Sequence, residues 1–584
     1  MSEIHGAGGP LPPIPDNMTL VQFMLDYRHP SRPTANKSTP WLIEDATGRK
    51  IGVDEIRANT QALATGLGSR FNIGTYTNFC IFSPNHIFWP VMIWYTCSHL
   101  DVLPSPANPS YTADELVHQL KTTSTKLIFA HPSIYPVALA AARTAGITSE
   151  RIVLLDALPS TTTGTPTHTT VPQLIAEGKK AGCKFTERKL APGEARTKLA
   201  FLCFSSGTTG LPKISLPPAS IAVAISHYSL IANIVQIATY ANADPKPCEA
   251  KTYRPGDVSI ADVYGLVYIL HFGLFYGMSI VVVPKFDFVN MLKSIERYRI
   301  NYAPCVILTR YLQHPEVKKH DLSSLRVIVS GAAPLSGEIT EKLSEVLPSV
   351  SIAQGFGMTE TAVIVAMPRH DKKIGTPGSS GVLIPGTTAR VLRPDGTLAA
   401  RNEPGHLIVT GPSMASGYFK NEKATRETFI DGWVHTGDEV VFNDEGELFV
   451  VDRIKELLKV KGFQVAPAEL EGFLLDHPDV ADVCVVGIND DYHGDLPLAF
   501  VVPSAAAQQR IKANPAEAQR IKTALITYVA SGKVHYKQLT AGVELIDVIP
   551  RNPSGKLLRR FLRDRAREMW KQGKLTSATV KAKL

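Results

Sequence analysis

The chain of 584 residues has only seven cysteines, at positions 80, 97, 183, 203, 248, 305 and 484, and no two form a Cys-x-x-Cys pair. Scattered through mostly apolar runs, they exclude a disulfide framework and the common thiolate zinc motifs, and predict reduced thiols in a reducing compartment. A basic stretch followed by an apolar core is missing from the N-terminal segment Met1-Ser-Glu-Ile-His-Gly, so no secretory leader is expected. Internal repeats and long low-complexity tracts are also lacking, which argues against solenoids and propellers. The longest apolar stretch, Val258 to Val283, is interrupted by Gly265, Gly273 and Gly277. It reads as a buried helix followed by a β-branched strand rather than a membrane span.

The formal net charge of +8 is unevenly placed. Between Arg551 and Leu584 there are eleven Lys/Arg and two Asp/Glu, so the rest of the chain is close to neutral and carries no general nucleic-acid signature. Such a basic tail reads as a solvated helix face or as a docking surface for a polyanion. A composition of 44% hydrophobic and 20% charged residues is that of an ordinary globular protein, and the length implies roughly two to four domains. The last three residues, Ala582-Lys583-Leu584, match the small-basic-Leu pattern read by the peroxisomal import receptor, so a peroxisomal location is expected.

What the chain does contain is centred on Ser205-Ser206-Gly207-Thr208-Thr209-Gly210-Leu-Pro-Lys213. Four hydroxyls, two glycines that expose backbone N–H groups and one mobile cation form a phosphate grip. The apolar run Leu199 to Phe204 predicts a buried strand delivering it. The spacing is not the Walker pattern, because Lys213 stands three residues after the second glycine. Upstream, helix and strand patterns alternate, which implies an α/β sheet. Thr112 followed by Glu115 predicts a capped helix start. Downstream, Val281 to Val283 and Val327 to Leu335 read as buried parallel strands, the second ending in the small residues Gly331, Ala332 and Ala333.

Three further motifs carry chemistry. Gln354-Gly355-Phe356-Gly357-Met-Thr359-Glu360 places an aromatic ring that can stack on a base near a carboxylate that can hold Mg²⁺. Gly432 to Asp438 sets a carboxylate in a glycine turn, and Asp452-Arg453 follows a strand; an Asp can accept from both ribose hydroxyls and an Arg can bridge sugar and phosphate. After Arg453 the composition shifts to a Lys-rich module, Lys455 to Val465, which marks a domain boundary. Finally, Asn552-Pro-Ser-Gly-Lys556 projects one lysine from a Pro/Gly-shaped loop before a basic helix.

Together these residues resemble the adenylate-forming enzymes: acyl-CoA synthetases, luciferases and peptide-synthetase adenylation domains. The resemblance runs from about residue 40 to 565. Val451 to Glu471 is most similar to 4-coumarate–CoA ligases and fungal phenylacetyl–CoA ligases. It implies a large multi-sheet α/β domain over residues 41–453 after an extension (1–40), a small mobile α/β domain (454–565) and a basic tail (566–584). It also implies two half-reactions: the carboxylate attacks the ATP α-phosphate to give an acyl-adenylate and pyrophosphate, then the coenzyme A thiol displaces AMP. By the same resemblance, residues 205–213 grip the β- and γ-phosphates, Phe356 lies against adenine, Thr359 touches the α-phosphate and Glu360 holds Mg²⁺. Asp438 binds the ribose with Arg453 beside it, and Lys556 bridges carboxylate and α-phosphate. The small domain then swings about Lys455 to present Lys459, Lys461, Gly462 and Gln464 to coenzyme A. Asp262, Tyr264, Ala332, Ala333 and Gly355 would line the acyl pocket.

The sequence departs from the family pattern at four places. Ile214 to Ile221 adds eight residues beside the grip, and Asn301 to Leu312 is about three residues short. Asp262 stands where coumarate ligases place a histidine, which fits either an acceptor for an amine-bearing or hydroxylated acid or a backbone-capping role. His406 replaces the usual glutamate after Gly405, read here as a surface change. Two other functions stay open: transfer of the activated acyl group to an amine or a separate carrier thiol, and a nucleotide-binding protein silenced by the insertion.

Overall fold

The structure is a computed structural model describing residues 3–34, 39–71, 78–98, 102–158, 168–182, 187, 189–205, 221–243, 252–253, 262–304, 311, 314–330, 337–370, 372, 374–461, 463–490, 494–551 and 557–575. Its β-branched runs form the interior strands of two largely parallel sheets. The larger has seven strands, running Ser351–Gln354, Val327–Ser330, Tyr302–Pro304, Thr252–Tyr253, Ser279–Val282, Leu42–Glu44 and Lys50–Ile51, with only the last pair antiparallel. The smaller is a four-stranded parallel sheet of Pro104–Ala107, Asn78–Phe82, Thr125–Ala130 and Ile152–Leu154. Strands covered on both faces need continuous apolar character, which Ile152–Leu154 and Ile280–Val282 have, each residue buried. The helix Ala113–Thr122 begins with a complete Thr112/Glu115 capping box.

The helices Val53–Phe71 and Val171–Lys180 cross at reciprocal glycines. A Cβ on Gly66 would sit 2.2 Å from the Leu174 carbonyl oxygen, and one on Gly178 would sit 1.9 Å from that of Ala62. Only glycine permits this backbone approach.

A third sheet of six strands is antiparallel. Its strand Trp433–Phe442 alternates strictly between half-buried and buried side chains, as expected of a sheet packed on one face. Ile4–His5 adds the edge strand, with Ile4 opposite Ala389 and His5 opposite Thr388. The helix Leu20–Leu25 starts with a Thr19/Gln22 capping box and buries Leu20, Val21, Phe23 and Met24 in the main core. Residues 3–34 are therefore built into the large domain, which corrects the reading of 1–40 as an extension.

The last 120 or so residues form a separate five-stranded sheet, Phe463–Val465, Leu458–Val460, Gly494–Pro503, Val480–Asp490 and Gly542–Leu545, with its own apolar cores. The helix Arg559–Lys571 packs Leu562 and Ala566 into one of them, and Leu575 is buried beyond it. The small domain thus continues through residue 575, and a tail beginning at 566 is not separate from it. Arg559 at the head of this helix is also buried, although it was one of the charges counted as tail. Its Nε donates to Glu456 (2.7 Å) and its guanidinium grips both oxygens of Glu471.

Candidate functional site

Sheet pairing assembles the site. The strands Leu199–Ser205 and Ile221–Ser226 form an antiparallel ladder in which Ser205 faces Ile221. The grip and the eight-residue insertion therefore fall between two paired strands, whose ladder is regular from Phe201 to Ser205 and shifts register only between Leu199 and Phe201. Ser205, half-buried, ends the first strand; Ser206, Gly207, Thr208, Thr209, Gly210 and Lys213 lie outside the described residues. A third short strand, Gly417–Tyr418, adds to Ile221–Ser226, and from it the Tyr418 hydroxyl donates to Glu360 Oε1 at 2.8 Å. Burial, then the Glu360 carboxylate, pushes the Tyr418 pKa upward, so the phenol stays a donor.

Glu360 is buried in a short 3-10 turn, Thr359–Thr361, joining strands Phe356–Met358 and Val363–Met367. The turn is tight: Ala362 has φ of +52° and Val363 of +108°, a conformation a β-branched residue rarely adopts. The Thr361 hydroxyl donates to the Met358 and Val363 carbonyls at 3.0 and 3.2 Å, and Ala415 N–H donates to the Glu360 carbonyl at 2.9 Å. A Cβ on Gly357 would meet the Val363 carbonyl oxygen at 1.9 Å, so this position needs glycine for packing across the hairpin. Gly355 leaves less to spare than an open site, at 3.3 Å from the Ala366 carbonyl oxygen. Gln354 donates to Ser380 Oγ at 3.0 Å, and Phe356 packs half-buried against the antiparallel-sheet core.

Asp438 and Arg453 are register partners on adjacent strands, joined by a 2.7 Å ion pair, with Asp438 buried and Arg453 partly open to solvent. The Arg453 charge also acts across space on the Tyr418 hydroxyl, the weakest of the influences on its pKa. Arg453 additionally reaches the Thr436 carbonyl at 3.4 Å. Glu360–Tyr418 and Arg453–Asp438 are thus two bonded pairs of one polar wall.

Of the pocket residues, Tyr264 opens the segment Tyr264–Phe272, wound as a π-helix, a form frequent at functional sites. Asp262 Oδ1 accepts from Tyr264 N–H at 2.9 Å, so this carboxylate caps the helix, the backbone role among its two readings. Asp262 also lies near Cys203, whose thiol pKa is raised by burial and then by this carboxylate. Tyr264, Tyr268, Phe272 and Tyr276 form a ladder of rings with successive centroids 5.1, 5.2 and 5.2 Å apart. Tyr268 further pairs hydroxyl to hydroxyl with Tyr302 at 2.6 Å. Behind them, buried His271 pairs through Nδ1 with the Leu266 carbonyl and accepts from Trp94 Nε1 at Nε2. Burial lowers its pKa to about 4, keeping it neutral. Ala332 and Ala333 lie outside the described residues.

In the small domain, Lys455 is exposed directly after the strand bearing Arg453. Lys459 and Gln464 are opposite one another on a hairpin whose turn residue Lys461 has φ of +49°. All three side chains are exposed, as is Phe463, which stacks on Tyr536 at 4.4 Å. Gly462, Lys556, Ala582, Lys583 and Leu584 lie outside the described residues.

Sequence reasoning missed Tyr418 and the internal role of Arg559, since neither stands in a distinctive motif. It also misplaced His406, which is half-buried and accepts from Gly437 N–H at Nε2 (3.2 Å) rather than standing at the surface. A second cluster, His86, His131 and Asp156, gathers at the ends of three neighbouring parallel strands. Phe88 N–H donates to His86 Nδ1 and Ser133 N–H to His131 Nδ1, both at 3.2 Å. The neutral rings then carry their protons on Nε2, and His86 donates to Asp156 at 2.9 Å. That is the wrong tautomer for metal ligation through Nε2, so the cluster reads as a hydrogen-bonded strand-end lock.

Comparison with known proteins agrees with this geometry. The AMP-binding enzyme profile matches residues 28–419, and that of the AMP-binding enzyme C-terminal domain matches residues 469–556. A 4-coumarate–CoA ligase 5 of Oryza sativa subsp. japonica is 32% identical over 573 residues, spanning 94% of this chain and 95% of its own. Among solved structures, ATP-bound MatB from Rhodopseudomonas palustris superposes with a TM-score of 0.77 at 23% identity, covering 95% of this chain and 100% of that one. The anthranilate CoA ligase AuaEII in complex with anthranoyl-AMP gives 0.77 at 20% identity, covering 95% and 98%. These likenesses establish the fold.

Replacing Tyr418 by Phe removes a buried hydrogen bond to a carboxylate without changing shape. Loss of such a bond, about 1.5–3 kcal/mol, should lower kcat/KM in ATP–pyrophosphate exchange by roughly 10- to 100-fold. A change smaller than about twofold would separate Tyr418 from the reactive centre.

Proposed function

This chain belongs to the AMP-binding enzyme family, and from that premise we propose that it joins an aromatic or medium-chain carboxylic acid to coenzyme A in the peroxisome. At the coarser level it is an acid–thiol ligase that uses ATP, works through an acyl-adenylate and takes coenzyme A as the acceptor substrate. The observation that carries the reading is the polar wall made by two bonded pairs, Tyr418–Glu360 on the strand added to the grip hairpin and Arg453–Asp438.

The chemical demand is to bring two anions together while charge builds at the α-phosphorus, which calls for donors fixed before the reaction. Asp438 would accept from the ribose hydroxyls, with Arg453 beside it. Thr359 and the hydroxyls of 205–209 would donate to phosphate oxygens, and Phe356 would lie against adenine. Glu360 fits Mg²⁺, because a carboxylate oriented by Tyr418 supplies the hard oxygen donor this ion takes together with phosphate and water. When bound, the ion would neutralise phosphate charge. Lys556 would bridge carboxylate and α-phosphate, and rotation about Lys455 would replace its loop by the hairpin of Lys459, Lys461 and Gln464.

The aromatic character of the segment bearing Tyr264, with Tyr264, Tyr268 and Phe272 stacked in succession, favours an aromatic acid. The use of Asp262 as a helix cap argues against an ammonium-bearing substrate.

Incubating purified protein with ATP, Mg²⁺, coenzyme A and a panel of aryl, fatty and amino acids should yield aryl-CoA thioesters and AMP by mass spectrometry. Acyl-adenylates without thioesters would instead point to an amine or carrier thiol as acceptor, and no product at all to a silent homologue. Lys556→Ala should reduce adenylation by ~100-fold or more yet spare thioester formation from supplied acyl-adenylate; equal loss of both would refute the assigned role. Deleting Ala582–Leu584 should move a fluorescent fusion from peroxisomes to the cytosol, and an unchanged distribution would reject the import reading.

A further inference from the structure

The strand Trp433–Phe442 leaves its ladder with Gly405–Thr410 at one point. His406 faces Glu439 and Ile408 faces His435, so Thr436, Gly437 and Asp438 together oppose the single residue Leu407. Bulges of this kind re-aim side chains and free backbone groups from the ladder. Here several of the freed groups are taken up by side chains and by the neighbouring strand. Thr436 Oγ1 donates to the Leu407 carbonyl at 2.9 Å, and Asp438 N–H donates to Thr436 Oγ1 at 3.1 Å. The Gly437 carbonyl accepts from Ile454 N–H at 2.9 Å, and Gly437 N–H donates to His406 Nε2 at 3.2 Å. Gly437 itself has φ of +74°, a conformation suited to glycine.

We infer that His406 is a positioning residue for nucleotide binding: by accepting from Gly437 N–H it fixes the bulge that aims the neighbouring Asp438 carboxylate. His406 does not touch the nucleotide and acts only through the backbone between the two residues. The role requires an imidazole with a lone pair on Nε2. Burial and the ring of His435, 5.2 Å away between centroids, lower its pKa to about 4 and keep it in that form. This inference rests on the reading of Asp438 as the acceptor for the ribose hydroxyls.

The test compares His406→Ala, His406→Gln and Asp438→Ala in full-length protein, with kinetics for ATP and 2′-deoxy-ATP and a thermal melt of each. His406→Ala should raise the KM for ATP about tenfold with little change in kcat, and should narrow the preference for ATP over 2′-deoxy-ATP. His406→Gln, whose amide oxygen can accept the same hydrogen bond, should return both towards wild type. The double variant His406→Ala/Asp438→Ala should be no worse for ATP than Asp438→Ala alone, because both changes remove one function. If His406→Ala leaves the KM for ATP and the deoxy preference intact, or if it only lowers the melting temperature and is not rescued by Gln, the inference fails. If Asp438→Ala itself leaves the KM for ATP unchanged, the ribose reading fails first, and the two failures are told apart.

Discussion

The buried guanidinium of Arg559 is the interaction on which the packing of the small domain depends. Charges withdrawn from water are tolerated only when paired, and removing one partner of such a set leaves the others stranded. Arg559 answers Glu471 within the small domain and Glu456 just past the large one. Asp452 belongs to the same set: its Oδ2 accepts from Ala468 N–H at 3.1 Å, and the Arg559 charge offsets the rise that burial imposes on its pKa. Adjacent residues of a strand face opposite ways. Asp452 therefore turns to the small domain while Arg453 turns to Asp438, so one peptide bond separates the inter-domain contact from the nucleotide wall. In sequence, Lys556 stands three residues before Arg559.

The wall is arranged for chemistry rather than for maximum stability. Val363 holds a backbone angle that costs free energy, and the glycine at 357 allows two strands to approach closer than any side chain permits. Strain of this kind persists only where the surroundings over-determine it. Here the Thr361 hydroxyl, Ala415 N–H and Tyr418 hydroxyl all fix the turn around Glu360.

Much of this was legible in the residues because it depends on local pattern. Val327 to Val329 and Ile280 to Val282 are apolar without alternation and became interior parallel strands, and Thr112 with Glu115 announced its own helix start. The break of Val258 to Val283 into helix and strand followed from its glycines and β-branched end. What stayed hidden depends on contacts between distant segments. Tyr418 meets Glu360 across 58 positions and Arg559 meets Glu471 across 88, and neither side chain differs in letter from a surface residue. The bulge at 436–438 escaped notice because the strand keeps a regular in-and-out alternation through it, so periodicity cannot reveal that three residues oppose one. His406 followed from that omission, since its partner exists only once the bulge does. The N-terminal segment was misjudged because its Pro and Gly content reads as linker, while the capped helix Leu20–Leu25 is short enough to hide within it.

The pairing of Ile4 with Ala389 has a consequence for how the protein is made. A ribosome that adds roughly 5–20 residues per second needs roughly 20–80 seconds between the emergence of the first strand and that of its partner. During that interval Ile4 and His5 have no sheet to join, although the helix that follows them can settle on earlier-formed core. The edge of the antiparallel sheet is thus closed by a segment translated long before its partner, which must be kept available until the body of the large domain has been made.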